Sequence, residues 1–233
     1  MYTIYLVIKK KFSKSAWKKV VAAALAAAVT SGTGYFVLKQ QESSITIPAY
    51  TVAEVLDGDT FITVEGLYIR LAYINAPESE LCGAVEAKNE LKRLLLEKTV
   101  YLKILYRDQF QRLDSLVYTN EGLINLLMVQ KGLAQYRLAG KNSPESNQLK
   151  LEGSIARNNK LGIYSDKCTQ DQNLKNPKCN IKGNAGQIKN HYYYPGCGNY
   201  DNTIVQLYLG DQWFCTRQEA EKAGFQKATF CPD

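Results

Sequence analysis

Acidic residues are missing from the first 40 positions, histidine occurs once in 233 residues, and no two cysteines stand at the two-residue spacing of a zinc knuckle. The first absence relocates the charge. Seven lysines (Lys9, Lys10, Lys11, Lys14, Lys18, Lys19 and Lys39) account for the whole formal charge of +7, and the other 22 basic residues balance 22 acidic ones. The basicity therefore belongs to the N-terminus and carries no message about a polyanionic partner, whose binding would have to come from local placement of Arg and Lys. The missing knuckle spacing makes disulfides the expectation for the six cysteines, with a metal held by four of them as the alternative. No internal repeat is present. What is there is ordinary globular composition, 45% hydrophobic and 22% charged, which excludes wholesale disorder. The length leaves room for one mid-sized domain and one small one.

Val20 to Leu38 is 19 residues without a charge, behind the lysine cluster. That length just crosses a bilayer core as a helix, and the flanking lysines put the N-terminus in the cytoplasm and the rest outside. The alternative is a cleaved signal peptide, with Val20 to Val29 as apolar core and Ala28 to Gly32 as cleavage zone, which makes the protein secreted. Both readings place the remainder outside the cytoplasm. All six cysteines (Cys82, Cys168, Cys179, Cys197, Cys215 and Cys231) lie beyond this run, where an oxidising compartment favours disulfides, and none is near enough for a lipid anchor.

Past a polar connector, Tyr50–Leu56, Thr60–Val64 and Leu67–Ile74 read as strands joined by the turns Asp57-Gly58-Asp59 and Glu65-Gly66. Ala84–Glu97 reads as a helix burying Leu91, Leu94 and Leu95. Thr99–Leu105 and Ser115–Tyr118 read as strands around a polar run, Tyr106 to Asp114, and Ile124–Gln130 and Pro144–Asn158 as helices. Three strands, a helix, two strands and then helices is the order of an OB-type five-stranded barrel with packed helices, so the fold is mainly β with helices. A parallel α/β sheet is excluded by the tight turns between the first strands. The domains expected are a basic tail and transmembrane anchor over residues 1–40, the barrel over 45–168, a polar linker over 169–178 and a small disulfide-stabilised module over 179–233. At about 55 residues the module needs cross-links to supplement its core.

Chemistry-bearing residues gather in three places. Val55-Leu56-Asp57-Gly58-Asp59-Thr60-Phe61 puts two carboxylates at a hairpin turn, which alone is most often a solvated connector. Tyr68-Ile69-Arg70-Leu71-Ala72-Tyr73 carries an arginine on the next strand, and Asn75-Ala76-Pro77-Glu78 follows it. In a small barrel these three converge at one end.

The combination resembles the staphylococcal-type nuclease family, with its D-G-D-T turn and R-L-x-x-I-D-x-P-E segment. The likeness continues through Arg107-Asp108-Gln109-Phe110-Gln111-Arg112, Ile124 to Ala134 and Leu161-Gly162-Ile163-Tyr164-Ser165, and so covers about residues 50 to 165 in consistent order. By that resemblance Arg70, Glu78 and Arg112 are catalytic. Glu78 would orient or deprotonate the attacking water, and the arginines would neutralise charge building on the phosphate. Asp59, Asn75 and Ala76 would hold one calcium ion, a hard cation suited to oxygen donors. Phe110 and Tyr136 would face the bases of a DNA or RNA substrate. Two positions depart from the family. Asn75 replaces its second metal-binding aspartate, which weakens calcium binding, and Gln111 replaces a glycine, which alters the turn before Arg112.

A Cys82–Cys168 disulfide, similar to cysteines of exported family members, would pin the active-site loop to the end of the last helix. In the distal module Cys179–Cys231 and Cys197–Cys215 are the expected pairs, and Tyr194-Pro195-Gly196-Cys197 with Trp213-Phe214-Cys215 resembles a small module (the sunset type) appended to bacterial envelope proteins. His191 is expected in an exposed loop, and the tyrosines 192–194 in the module's packing. The function implied is a calcium-dependent extracytoplasmic nuclease acting as a monomer without a protein partner. The alternative is a catalytically weakened nucleic-acid-binding barrel or an envelope adaptor.

Overall fold

Val52 and Val55 are both buried although they stand three residues apart, a spacing a regular strand would send to opposite faces. The structure, a computed structural model describing residues 48–138, 142–186 and 188–232, shows how: the pairing of β1 (Ala49–Val55) with β2 (Thr60–Thr63) slips by one residue between Val52 and Glu54. That bulge turns both valines inward and bends the strand for closure. The following elements are β3 (Tyr68–Leu71), β4 (Ile74–Asn75), α1 (Ala84–Leu95), β5 (Thr99–Arg107) and β6 (Leu113–Thr119). After them come β7 (Gly122–Leu123), α2 (Ile124–Gln130), β8 (Gln135–Tyr136) and α3 (Pro144–Asn158).

Five strands close a barrel in the order β3-β2-β1-β5-β6, with a parallel β3·β6 contact as the seam. Closure leaves these strands without an unpaired edge. The expected OB-type barrel is therefore present. Leu91, Leu94 and Leu95 of α1 are fully buried with Phe61, Ile69, Leu71, Leu116, Met128 and Val129. Each such side chain contributes about 1.5–3 kcal/mol by leaving water. Helix α3 starts where Ser143 caps the Ser146 amide at 3.1 Å, with Pro144 in its first turn.

Asn125 fastens the barrel to α2. It is fully buried, accepts from Val117 N at 3.0 Å and donates to the carbonyls of Ala72 at 2.9 Å and Ser115 at 3.1 Å. Asn125→Leu strands the Val117 amide and the Ala72 carbonyl in the core, and we expect it to lower unfolding free energy by about 3 kcal/mol in urea titration.

Residues 169–178, expected as a linker, contribute β9 (Thr169–Gln170). The chain continues through β10 (Ile181–Asn184), β11 (His191–Tyr193), β12 (Val205–Gln206), β13 (Gln212–Phe214), α4 (Arg217–Lys222) and β14 (Gln226–Lys227). Strand β9 pairs with β12, and β13-β10-β11-β14 form a sheet over a small core of Ile181, Tyr192, Phe214, Ala220 and Phe225. His191, expected in a loop, lies on β11 and is half-buried, while Tyr192 and Tyr194 are buried in this packing.

All six cysteines are paired, and Cys82–Cys168 forms as expected. The other two bonds are Cys179–Cys215 and Cys197–Cys231, which corrects the expected Cys179–Cys231 and Cys197–Cys215. Antiparallel pairing sets Ile181 of β10 opposite Phe214 of β13, which brings Cys179, two residues before the one, close to Cys215, just after the other. The Gly198 amide bonds the Phe230 carbonyl at 2.9 Å and brings Cys197 to Cys231. Among the described residues no helix is long and apolar enough to cross a membrane. The basic tail and the apolar run 20–38 lie outside them.

Candidate active site

The turn between β1 and β2 is built to sit against the barrel's mouth. The Asp57 carboxylate accepts the Asp59 amide at 2.9 Å, tightening the turn. Gly58 is required by space: a Cβ there would fall 2.6 Å from the Cβ atoms of both Ala76 and Ala87. With the turn so close, Asp59 points inward and is 3% exposed. Its Oδ2 accepts the Ala76 amide at 2.9 Å, and its Oδ1 accepts the Thr60 hydroxyl at 3.0 Å and a guanidinium N–H of Arg70. Arg70 also donates to Asn75 Oδ1 at 2.7 Å. Asp59, Arg70, Asn75 and Ala76 thus form one cluster from three successive segments, the β1–β2 turn, β3 and β4.

Burial pushes the Asp59 carboxyl up to about 6, with Asp57 adding to the rise and Arg70, the Ala76 amide and Thr60 opposing it. The raised value means the folded state holds the proton more firmly than the unfolded chain. Its contribution to stability is therefore complete below about pH 4 and is lost as pH rises through about 6. In chelator, the stability difference between wild type and Asp59→Asn should move toward the variant by about 2 kcal/mol from pH 4 to 7, read from urea unfolding at each pH.

Arg112 sits just before β6 in a tight turn. Asp108 Oδ1 accepts the amides of Phe110 and Arg112, each at 2.9 Å, and its Oδ2 accepts Arg112 Nε at 2.8 Å. Burial would raise the Asp108 carboxyl, but the Arg112 side chain and these amides outweigh it and hold it below the usual carboxylate range. With Nε engaged, the terminal guanidinium nitrogens remain available to an oxyanion. The guanidinium lies 5.2 Å from the centroid of the exposed Phe110 ring. Gln111 takes φ 65°, so the turn keeps the left-handed backbone a glycine would favour despite the substitution. Arg70 and Arg112 are related through the β3·β6 seam, where Ile69 faces Leu113 and Arg70 faces Asp114.

Glu78 is exposed. It follows the Ala76 anchor to Asp59 and precedes the Cys82–Cys168 bond, so its loop is held at both ends. Tyr136 is half-buried: its hydroxyl is 3.0 Å from Ser146 Oγ and its ring packs against the barrel core. Phe110 and Tyr106, in and beside the Arg112 turn, are exposed. Asp114 and Tyr106 escaped the sequence reading because both fall in the run Tyr106 to Asp114, read there as a polar connector. A bulge between Ile104 and Tyr106 places Tyr106 opposite Asp114. Asp114 is 1% exposed, and its Oδ1 has no hydrogen-bond partner among the described residues. Burial raises its carboxyl, against the pull of Arg70, Tyr106 and Arg137 and with the push of Asp108.

Residues 68–166 match the family model described as staphylococcal nuclease homologue. A micrococcal nuclease of Shigella flexneri is 31% identical over 145 residues, covering 54% of this chain and 82% of that protein. An uncharacterized endonuclease of Escherichia coli O157:H7 is 33% identical over 119 residues, covering 49% of this chain and 76% of its own. The chain belongs to the staphylococcal nuclease family. A further relative, an uncharacterized endonuclease of Haemophilus influenzae, is 34% identical over 87 residues, where the match spans 36% of this chain and 49% of that protein.

Staphylococcal nuclease relatives depend on a metal ion, and the cluster fits one. Its donors are oxygens of Asp59 and Asn75, with no His or Cys, and they already converge on a positive charge, the Arg70 guanidinium. Such donors suit a hard divalent cation.

Proposed function

We propose that this family member is an exported, calcium-dependent nuclease that hydrolyses phosphodiester bonds of DNA or RNA. The observation that carries the reading is the cation-holding cradle of Asp59 and Asn75, with Arg70 in it and Arg112 presenting its terminal nitrogens nearby along the seam. Arg70 and Arg112 bind the phosphate and stabilise charge developing on its oxygens. Glu78 orients the water and takes its proton. Asp59, Asn75 and Ala76 hold the ion, which when bound polarises the phosphate. Phe110 offers a ring to a base.

Three disulfides support an oxidising compartment, and the apolar run 20–38 supports a membrane tether with the barrel outside. Residues 179–233 read as an envelope-associated module. Finding the protein solely in the cytosolic fraction would overturn this placement.

Asn75 favours a second reading, a barrel that binds nucleic acid and turns it over poorly. The full chain incubated with labelled single-stranded DNA and RNA decides between them, with calcium raised to about 10 mM. Cleavage that stops on chelation is expected; binding without turnover at every calcium concentration would favour the second reading. Asn75→Asp restores a formal charge to the cradle and should lower the calcium needed for half-maximal cleavage about tenfold.

A further inference from the structure

Asp114 has no part in the scheme above, yet it is an unusual group for an anion-binding site. It is 1% exposed, and its Oδ1 meets no donor among the described residues. A buried acceptor left unmet costs free energy, so a donor arriving in another state of the site would explain its retention. The seam sets Asp114 directly beside Arg70, and the β5 bulge brings the Tyr106 hydroxyl to the same carboxylate. Neighbours in register on adjacent strands share one face of the sheet. Arg70 therefore stands between two acidic seats. It occupies one, bridging Asp59 and Asn75, while the other offers a vacant oxygen.

A guanidinium and a divalent cation compete for the Asp59 and Asn75 oxygens, because sharing them would force two positive charges together in a buried cluster. Cation binding thus favours a state in which Arg70 has left. We propose that Asp114 is the second seat of Arg70, a positioning residue that receives the guanidinium when a divalent cation takes the Asp59–Asn75 cradle, and so sets how tightly that cation binds. The proposal rests on the cation-dependent reading given above. It also accounts for a buried carboxylate where phosphate must approach: Arg70 would offset its charge there and keep further N–H donors for the substrate.

The apparent affinity for the cation is its intrinsic affinity scaled by the fraction of molecules whose cradle Arg70 has vacated. Removing Asp114 penalises the vacated state by a charge-assisted hydrogen bond, which weakens calcium binding about tenfold. Calorimetric titration of calcium into the full chain tests this with wild type, Asp114→Asn, Arg70→Gln and the double variant. Asp114→Asn should bind about tenfold more weakly, Arg70→Gln more tightly, and Asp114→Asn in the Arg70→Gln background should differ from Arg70→Gln by less than about twofold. A tenfold loss in both backgrounds means that Asp114 acts on the cation directly and overturns the proposal. Unchanged affinity in Asp114→Asn, with wild type still binding calcium, overturns it alone. A wild type that binds no calcium overturns the cation reading as well. Should Asp114→Asn fail to fold, Asp114→Leu replaces it. The Arg70 Nε–H resonance gives an independent readout: it should shift on calcium addition in wild type and move less in the Asp114 variant, and an equal shift in both contradicts the second seat.

Discussion

Glu78→Gln should slow phosphodiester cleavage about a thousandfold, the middle of the range for a positioned general base. The same change should leave the thermal midpoint within about one degree of wild type. Both halves follow from where the residue sits. Glu78 is exposed, in a loop whose ends are fixed by the Ala76 bond to Asp59 and by the Cys82–Cys168 disulfide. Its carboxylate thus has little to do in folding and is free to face solvent and an attacking water. Glutamine keeps the shape and removes the base. Steady-state cleavage of a labelled oligonucleotide, with a melt of each protein beside it, gives the answer. A loss below about tenfold would show that another group takes the proton and would remove Glu78 from the catalytic set. Slower cleavage with a matching fall in the melt would instead mark it as a structural residue.

That loop was legible before the structure because its signals are local. The Asp57-Gly58-Asp59 turn, the spacing from Arg70 to Pro77 and Glu78, and the three leucines of α1 each lie within one or two adjoining elements, where periodicity and turn chemistry act directly. The β3·β6 seam is a different case. Nothing in Tyr68–Leu71 or Leu113–Thr119 states that the two will run side by side in parallel, since that contact follows from closing the whole barrel. Asp114 became visible as a neighbour of Arg70 only through this seam and the β5 bulge, which one inserted residue creates without changing composition. The distal cysteines were misjoined for the same reason. Their pairing depends on the β10·β13 register and on the loop that ends at Phe230, and four cysteines allow three connectivities.

Removing the Cys82–Cys168 bond, as the double change Cys82→Ser and Cys168→Ser, should cost about 4.5 kcal/mol of unfolding free energy, the entropy of freeing a long loop in the unfolded chain. The two cysteines are 86 residues apart, so the loop they close contains β5 and β6 of the barrel and helices α1 to α3. The bond also joins two functional regions. Cys82 ends the Glu78 loop, and the Cys168 carbonyl accepts the Leu207 amide at 2.8 Å, next to the β9·β12 pairing that binds the distal module. Trp213 adds a bond from its indole N–H to Gln170 at 2.8 Å. Cutting the disulfide should therefore do more than lower the melting point. It frees one of the two anchors that hold Glu78, so cleavage should fall at temperatures where the variant is still folded. Urea titration measures the first effect, and activity well below the midpoint measures the second. A stability loss under about 1 kcal/mol would mean that packing of Cys168 with Ile163, Tyr164 and Tyr208 holds the junction without the covalent link. Full activity in a destabilised but folded variant would mean that Ala76 and Asp59 position Glu78 unaided. Activity lost while the protein is folded would make the disulfide part of the active site's geometry, and would make catalysis depend on that bond staying oxidised.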